Sequence, residues 1–191
     1  NLEGIMNENV QWFLSKMRYC GVELAIKCEE ISDICPEIFD LHISSEISDN
    51  ITLSTMHGCP AGEIEDIGRY LLEKQKLHTL VKLNPTLLGS EKLRDILNNN
   101  LRFKTVVPDA AFEHDLKYPD AVRIISALQK TGKDNGLQFG LKLTNTLESV
   151  NDGNVFDSET AMMYMSGRAL HPISICLAEK LQLDFGGELL M

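Results

Sequence analysis

From residue 50 onward the chain alternates short apolar runs with amphipathic helical stretches, and this alternation limits the available folds more than any other feature. Ile51-Thr52-Leu53-Ser54 reads as a short strand. Glu63 to Lys74 reads as a helix with Ile64, Ile67 and Leu71 on one face. Its first turn holds Glu63, Glu65 and Asp66, which complement the positive end of the helix dipole. Thr79 to Leu83 is a second strand, ended by Pro85. Ser90 can cap a helix carrying Leu93, Ile96 and Leu97, which Asn98-Asn99-Asn100 then breaks. Phe103 to Val107 reads as a third strand, ended by Pro108. Pro119 suits the first turn of a helix carrying Val122, Ile125 and Leu128, and Gly132 suits its end. Gln138 to Leu143 is a fourth strand. Residues 148–160 are polar, contain Asp152-Gly153-Asn154, and read as an exposed loop. A last helix follows Pro172, with Ile173, Cys176, Leu177 and Leu181 inward.

Strand and helix recur every roughly 25–30 residues, which implies a parallel sheet with right-handed crossovers. The pattern fits an open doubly wound sheet or part of a (β/α)8 TIM barrel. A full barrel normally needs about 250 residues, so four strands would be a fragment of one. The first 35 residues read as helical, with Val10, Phe13, Leu14 and Met17 at helical spacing and Trp12 beside them. Gly21 divides that stretch and Pro36 stops it. The expected organisation is a helical segment over 1–36 and a partial barrel over 37–191. Asn1 does not look like a native start, and Asp184 to Met191 reads as a loop leading toward a strand. The chain is therefore expected to be an internal piece of a larger polypeptide.

The formal charge of −10 and a pI near 4.9 argue against nucleic acid and against an anionic membrane surface. No apolar run reaches the roughly 18 residues of a spanning helix, and no signal peptide opens the chain. The five cysteines, Cys20, Cys28, Cys35, Cys59 and Cys176, include no C-x-x-C pair. Zinc and iron–sulfur sites depend on such pairs, so no metal is expected here, and the thiols read as reduced and cytoplasmic.

Reactive groups in parallel α/β folds gather at the C-terminal ends of strands. That rule selects three places. In Leu53-Ser54-Thr55-Met56-His57-Gly58-Cys59-Pro60, Cys59 and His57 stand just ahead of a helix start, whose field favours a thiolate. The plain alternative is a small apolar Cys59 and a loop histidine. In Val81-Lys82-Leu83-Asn84-Pro85-Thr86, Lys82 sits inside an apolar strand, pointing either outward between helices or into a barrel mouth toward an anion or an electron-rich ring. Leu141-Lys142-Leu143-Thr144-Asn145-Thr146 repeats that pattern, and Asn145 can offer donor and acceptor to a flat heterocycle, or simply build a turn. Ser166 and Gly167, with Arg168 nearby, precede the last helix and can receive an anion.

Taken in order, these segments resemble the FMN barrels of the dihydroorotate and dihydropyrimidine dehydrogenase type. The fuller likeness is to large iron–sulfur oxidoreductases described as selenate reductase subunits or glutamate-synthase-like proteins. It rests on Leu53 to Pro60, on His78-Thr79-Leu80-Val81-Lys82-Leu83-Asn84-Pro85-Thr86-Leu87-Leu88-Gly89, on Leu143 to Thr146, and on Ser166-Gly167-Arg168-Ala169-Leu170-His171-Pro172-Ile173. It covers roughly residues 50–190. The resemblance implies that Cys59 is the general acid/base beside the flavin and that Lys82 contacts the flavin ring. It implies too that Asn145 and Thr146 hold the substrate. Met56-His57-Gly58 stands as an insertion before Cys59. An extra β/α unit at about 101–134 makes Lys142 a second candidate for the flavin lysine.

The resemblance further implies FMN for the complete barrel, with FAD, NAD(P)H and iron–sulfur clusters in other domains of the same polypeptide. The expected chemistry is hydride transfer between flavin and a small heterocycle. One rival is a barrel without flavin that serves as a packing platform for those domains. Another is a Schiff-base lyase with Lys82 as nucleophile. An open parallel edge also makes a homodimer an expectation.

Overall fold

The computed structural model describes residues 1–55, 57–152 and 156–191. Of the sequence expectations, Met56 and the centre of the Asp152-Gly153-Asn154 loop lie outside the described residues. The chain forms two compact units, Asn1–Ile51 and Thr52–Met191.

The first unit is helical, as its spacing suggests. It contains α1 (Leu2–Ile5), α2 (Glu8–Arg18) and α3 (Gly21–Ile31), followed by a 3-10 turn at Pro36–Asp40. Gly21 opens α3, and that helix ends four residues before Cys35-Pro36. Residues 41–49 form no regular element but are strapped back. The Cys20 N–H donates to Ser45 O at 2.8 Å, and the N–H groups of Ile47 and Ser48 both donate to Met17 O.

The second unit is built on a three-stranded sheet ordered β1 (Asn50–Ser54), β2 (His78–Leu83), β3 (Phe139–Leu143). The β2 and β3 strands run parallel, with Val81 opposite Leu141 and Lys82 opposite Lys142. Alternation divides the sheet into two faces. Val81, Leu83 and Leu141 enter the core against Ile64 and Leu72 of α4 (Ala61–Glu73). Elements between β2 and β3 are the short α5 (Ser90–Arg94), α6 (Asp109–His114) and the long α7 (Tyr118–Asp134). Ile124, Ile125 and Leu128 of α7 join the same core. Removing each such side chain from water contributes about 1.5–3 kcal/mol, which is why the apolar spacing located these helices well.

Helices α4 and α7 approach closely because position 68 has no side chain. A Cβ at Gly68 would meet Leu128 Cδ1 at 2.6 Å. Polar groups hold the same pair at its edge. Arg69 donates to Glu65 and, at 2.9 Å, to Thr131 Oγ1, while Arg123 pairs with the other oxygen of Glu65. Burial acts to raise the Glu65 pKa, but the two arginines outweigh it and hold that carboxyl below its ordinary value.

Five sequence expectations need correction. Phe103–Val107 is not a strand: side chains take three of its carbonyls, and its one backbone contact with a strand among the described residues is the Val150 N–H donating to Val106 O at 2.9 Å. Asn98 Nδ2 donates to the carbonyls of Phe103 and Thr105, and Arg94 donates to Val107 O. The helix before it is not broken at Asn98 but continues as a π turn over Asp95–Asn100. The extra unit at 101–134 therefore adds helices and no strand, and β2 lies directly beside β3. Residues 148–160 are not wholly loop: β4 (Leu147–Val150) pairs antiparallel with β5 (Met162–Met165). Gly132 lies within α7, where a Cβ would stand 3.0 Å from Leu137 O; the chain reverses at Gly136, whose φ of 67° suits glycine. Ser90 begins α5 without a side-chain cap bond.

The last helix, α8 (His171–Asp184), starts beside Pro172 as expected and buries Ile173, Leu177 and Leu181. Beyond it, Leu190 makes a parallel bridge to Gly140, and the Leu141 N–H donates to Leu190 O at 2.8 Å. The chain thus makes the first ladder contact along the outer edge of β3. The parallel β2–β3 pair, its helical crossover and this edge contact agree with a fragment of a barrel.

Candidate functional site

The C-terminal ends of the three strands meet in a hydrogen-bonded cluster centred on Asn145. Its N–H donates to Leu83 O at 2.8 Å. Its Nδ2 donates to Asn84 Oδ1 at 2.7 Å and to Thr55 O at 3.3 Å, and its Oδ1 accepts from Ser54 Oγ at 3.3 Å. Asn84 and Asn145 are both buried. Two donations from Nδ2 and one acceptance at Oδ1 are made within the chain, so Asn145 ties β1, β2 and β3 together. Thr146 is half-buried beside it.

Lys82 and Lys142 are cross-strand partners on the sheet face away from the helical core. Lys82 is half-buried and Lys142 exposed. Neither forms an ion pair or a hydrogen bond among the described residues. Like charges placed directly opposite on neighbouring strands are unfavourable. The sequence offered the two lysines as alternatives; the structure brings them together.

The loop after β1 carries Cys59 and His57. Cys59 does not face His57 in any bonded contact; its Sγ lies 4.0 Å from Pro60 O. Burial, with the nearby negative charge of Glu63, pushes its thiol up from the usual value, away from the thiolate expected. His57 instead bonds Asp115: Nδ1 and Oδ1 are 2.9 Å apart. The second oxygen of Asp115 accepts from Thr86 Oγ1 at 2.7 Å. The Asp115 side chain is only 1% exposed, whereas that of His57 is 29% exposed. The His57 ring also stands against Tyr164 of β5, with centroids 5.8 Å apart.

Gly167, with φ of 68°, lies in a 3-10 turn before α8. It lines a cavity of about 280 Å³ with Leu143, Thr144, Leu170, His171 and Ser174. Thr144 Oγ1 and Ser174 Oγ are 3.3 Å apart there. Gly167 therefore does stand at the end of β3, while Ser166 holds the position before the turn. Among the described residues, no group of three or more His, Cys, Asp or Glu is placed to hold a metal ion, and no helix is long and apolar enough to cross a membrane.

Sequence reasoning missed Asp115, Thr86 and Tyr164, and gave Asn84 no role. Asn84 occupies the same strand-end position as Asn145 and was open to the same rule. Asp115 carries no local signal, because it reaches the site from the end of α6.

The whole chain, residues 1–191, matches the family described as oxidoreductase YgfK, N-terminal TIM-barrel domain. Two curated relatives, from Escherichia coli strain K12 and from Escherichia coli O157:H7, are each named "Putative oxidoreductase YgfK". Both are 46% identical over 147 residues, which is 77% of this chain and 14% of each relative. The chain thus spans about one seventh of the length of the relatives it matches. No solved structure matches. On the strength of the full-length match, the chain belongs to the family of YgfK N-terminal TIM-barrel oxidoreductase domains.

Proposed function

We propose that this domain is the FMN-binding barrel module of a multidomain, NAD(P)H-linked oxidoreductase of glutamate-synthase-like organisation. The observation that carries the reading is the register pair Lys82–Lys142, two ammonium groups on one sheet face with no acidic partner among the described residues. FMN suits it, because the flavin ring becomes electron-rich on reduction and its phosphate is anionic. When bound, such a flavin supplies two-electron hydride chemistry. Lys82 and Lys142 would hold negative charge on the ring, and Gly167 and Ser166 would lie near the phosphate. Asn84 and Asn145 would fix the strand ends that present the lysines. The other redox groups, FAD and iron–sulfur clusters, would belong to the rest of the polypeptide, which the length of the relatives leaves room for. A cytoplasmic setting follows from that chemistry.

The platform reading also has an observation in its favour: the Cys59 thiol is pushed up, and the Asn145 amide is consumed internally. Identifying the flavins released from the full-length protein separates the two. FMN released in near-equal amount to protein supports the catalytic module; FAD alone, with no FMN taken up on addition, leaves the platform.

A further inference from the structure

The His57–Asp115–Thr86 chain belongs to no element of the reading above, and it has the geometry of a proton-transfer unit. Asp115 is buried on a loop end, yet both carboxylate oxygens are satisfied: one by His57 Nδ1 at 2.9 Å, the other by Thr86 Oγ1 at 2.7 Å. Thr86 sits two residues past Asn84, and His57 three residues past Ser54, both members of the strand-end cluster. A chain advances at most about 3.6 Å per residue, so His57 lies within about 11 Å of that cluster. Holding Nδ1 on a carboxylate fixes the imidazole tautomer and leaves Nε2 as the reactive nitrogen. The ring is partly open to solvent while its anchor is sealed. A buried anchor under a part-exposed ring suits a group that exchanges protons with a ligand.

We propose that His57, positioned by Asp115 and Thr86, is the acid–base group of this domain, taking the role that the Cys–Pro motif suggested for Cys59. The ligand class is a small molecule that becomes anionic on losing a proton from nitrogen or from an activated carbon. Its X–H bond breaks, the Nε2–H bond of His57 forms, and the electron pair stays on the ligand. The ammoniums of Lys82 and Lys142, paired in register on neighbouring strands, supply positive charge to receive that anion. The assignment deepens the reading of the strand ends as the site, but its test needs no flavin, so the two can fail separately.

The test is acylation of histidine by diethyl pyrocarbonate in the full-length protein, followed by peptide mass spectrometry, with His42, His78, His114 and His171 as internal references. Carboxylate activation predicts that His57 reacts readily at one nitrogen and that Asp115→Asn slows it about tenfold. Thr86→Val should slow it less. A clasp predicts the opposite sign, because Asp115→Asn would release the ring and speed the reaction. A His57 that does not react in the parent protein, or that reacts as fast or faster in Asp115→Asn, overturns the proposal. Thermal unfolding of each variant checks that it is folded, and Asp115→Glu, which keeps the carboxylate, should restore most of the rate.

Discussion

Lys82 of β2 and Lys142 of β3 are direct partners in the parallel ladder, and no acidic side chain among the described residues bonds either of them. An arrangement that repels itself in the absence of ligand gives a stability test. Replacing one member, as in Lys142→Met, should raise the unfolding temperature of ligand-free protein, by up to about 1 kcal/mol of cross-strand relief. The same change should weaken retention of an anionic ligand. Calorimetry with and without added FMN measures both.

Asn145 joins three strand ends through one buried amide. Asn145→Ala leaves buried partners without hydrogen bonds, at a cost of about 1–3 kcal/mol. Asn84→Ala should cost a similar amount, and the double variant less than the sum, because the two share a bond. Denaturant unfolding of the three variants checks the coupling.

Gly68 permits the approach of α4 to Leu128 of α7. Gly68→Ala gains helix propensity but forces Leu128 to move, and overpacking of this kind costs about 1–3 kcal/mol. The variant should therefore unfold earlier than the parent. Adding Leu128→Ala makes room for the new methyl, so Gly68→Ala should cost less in that background than alone.

Tyr118 donates to Asp184 Oδ2 at 2.7 Å, and Lys180 stands 3.6 Å from its ring centre. Burial, then the hydrogen bond and charge of Asp184, push the phenol well above the ordinary tyrosine value. A group raised in the folded state contributes fully below its unfolded pKa. That contribution is lost as pH rises through the folded value, so the domain should loosen on the alkaline side. Ultraviolet titration should find one tyrosine ionising late, and Asp184→Asn should bring it back toward the others.

The alternation of the sequence made β1, α4, β2, α7, β3 and α8 legible, because each buries an apolar stripe or strand face whose period survives in the residue order. What it hid was settled by hydrogen bonding between residues apart in sequence. Val106 and Val107 look like strand residues, but Asn98 and Arg94 take the carbonyls around them. Leu147-Glu148-Ser149-Val150 looks like loop, but its alternation pairs with Met162–Met165 and buries Leu147 and Ser149. Position in the strand pattern set Lys82, Lys142 and Asn145 at the ends of β2 and β3, where the fold has them. Sequence spacing linked His57 to Cys59, whereas folding linked it to Asp115, 58 residues away.

The most direct test of the central claim is the FMN content of the full-length protein beside its Lys82→Gln–Lys142→Gln double variant, with folding checked by circular dichroism. The account expects near-stoichiometric FMN in the parent and a selective loss of FMN, not of other redox groups, in the folded variant. Equal FMN in both proteins, or none in the parent after reconstitution, would contradict it.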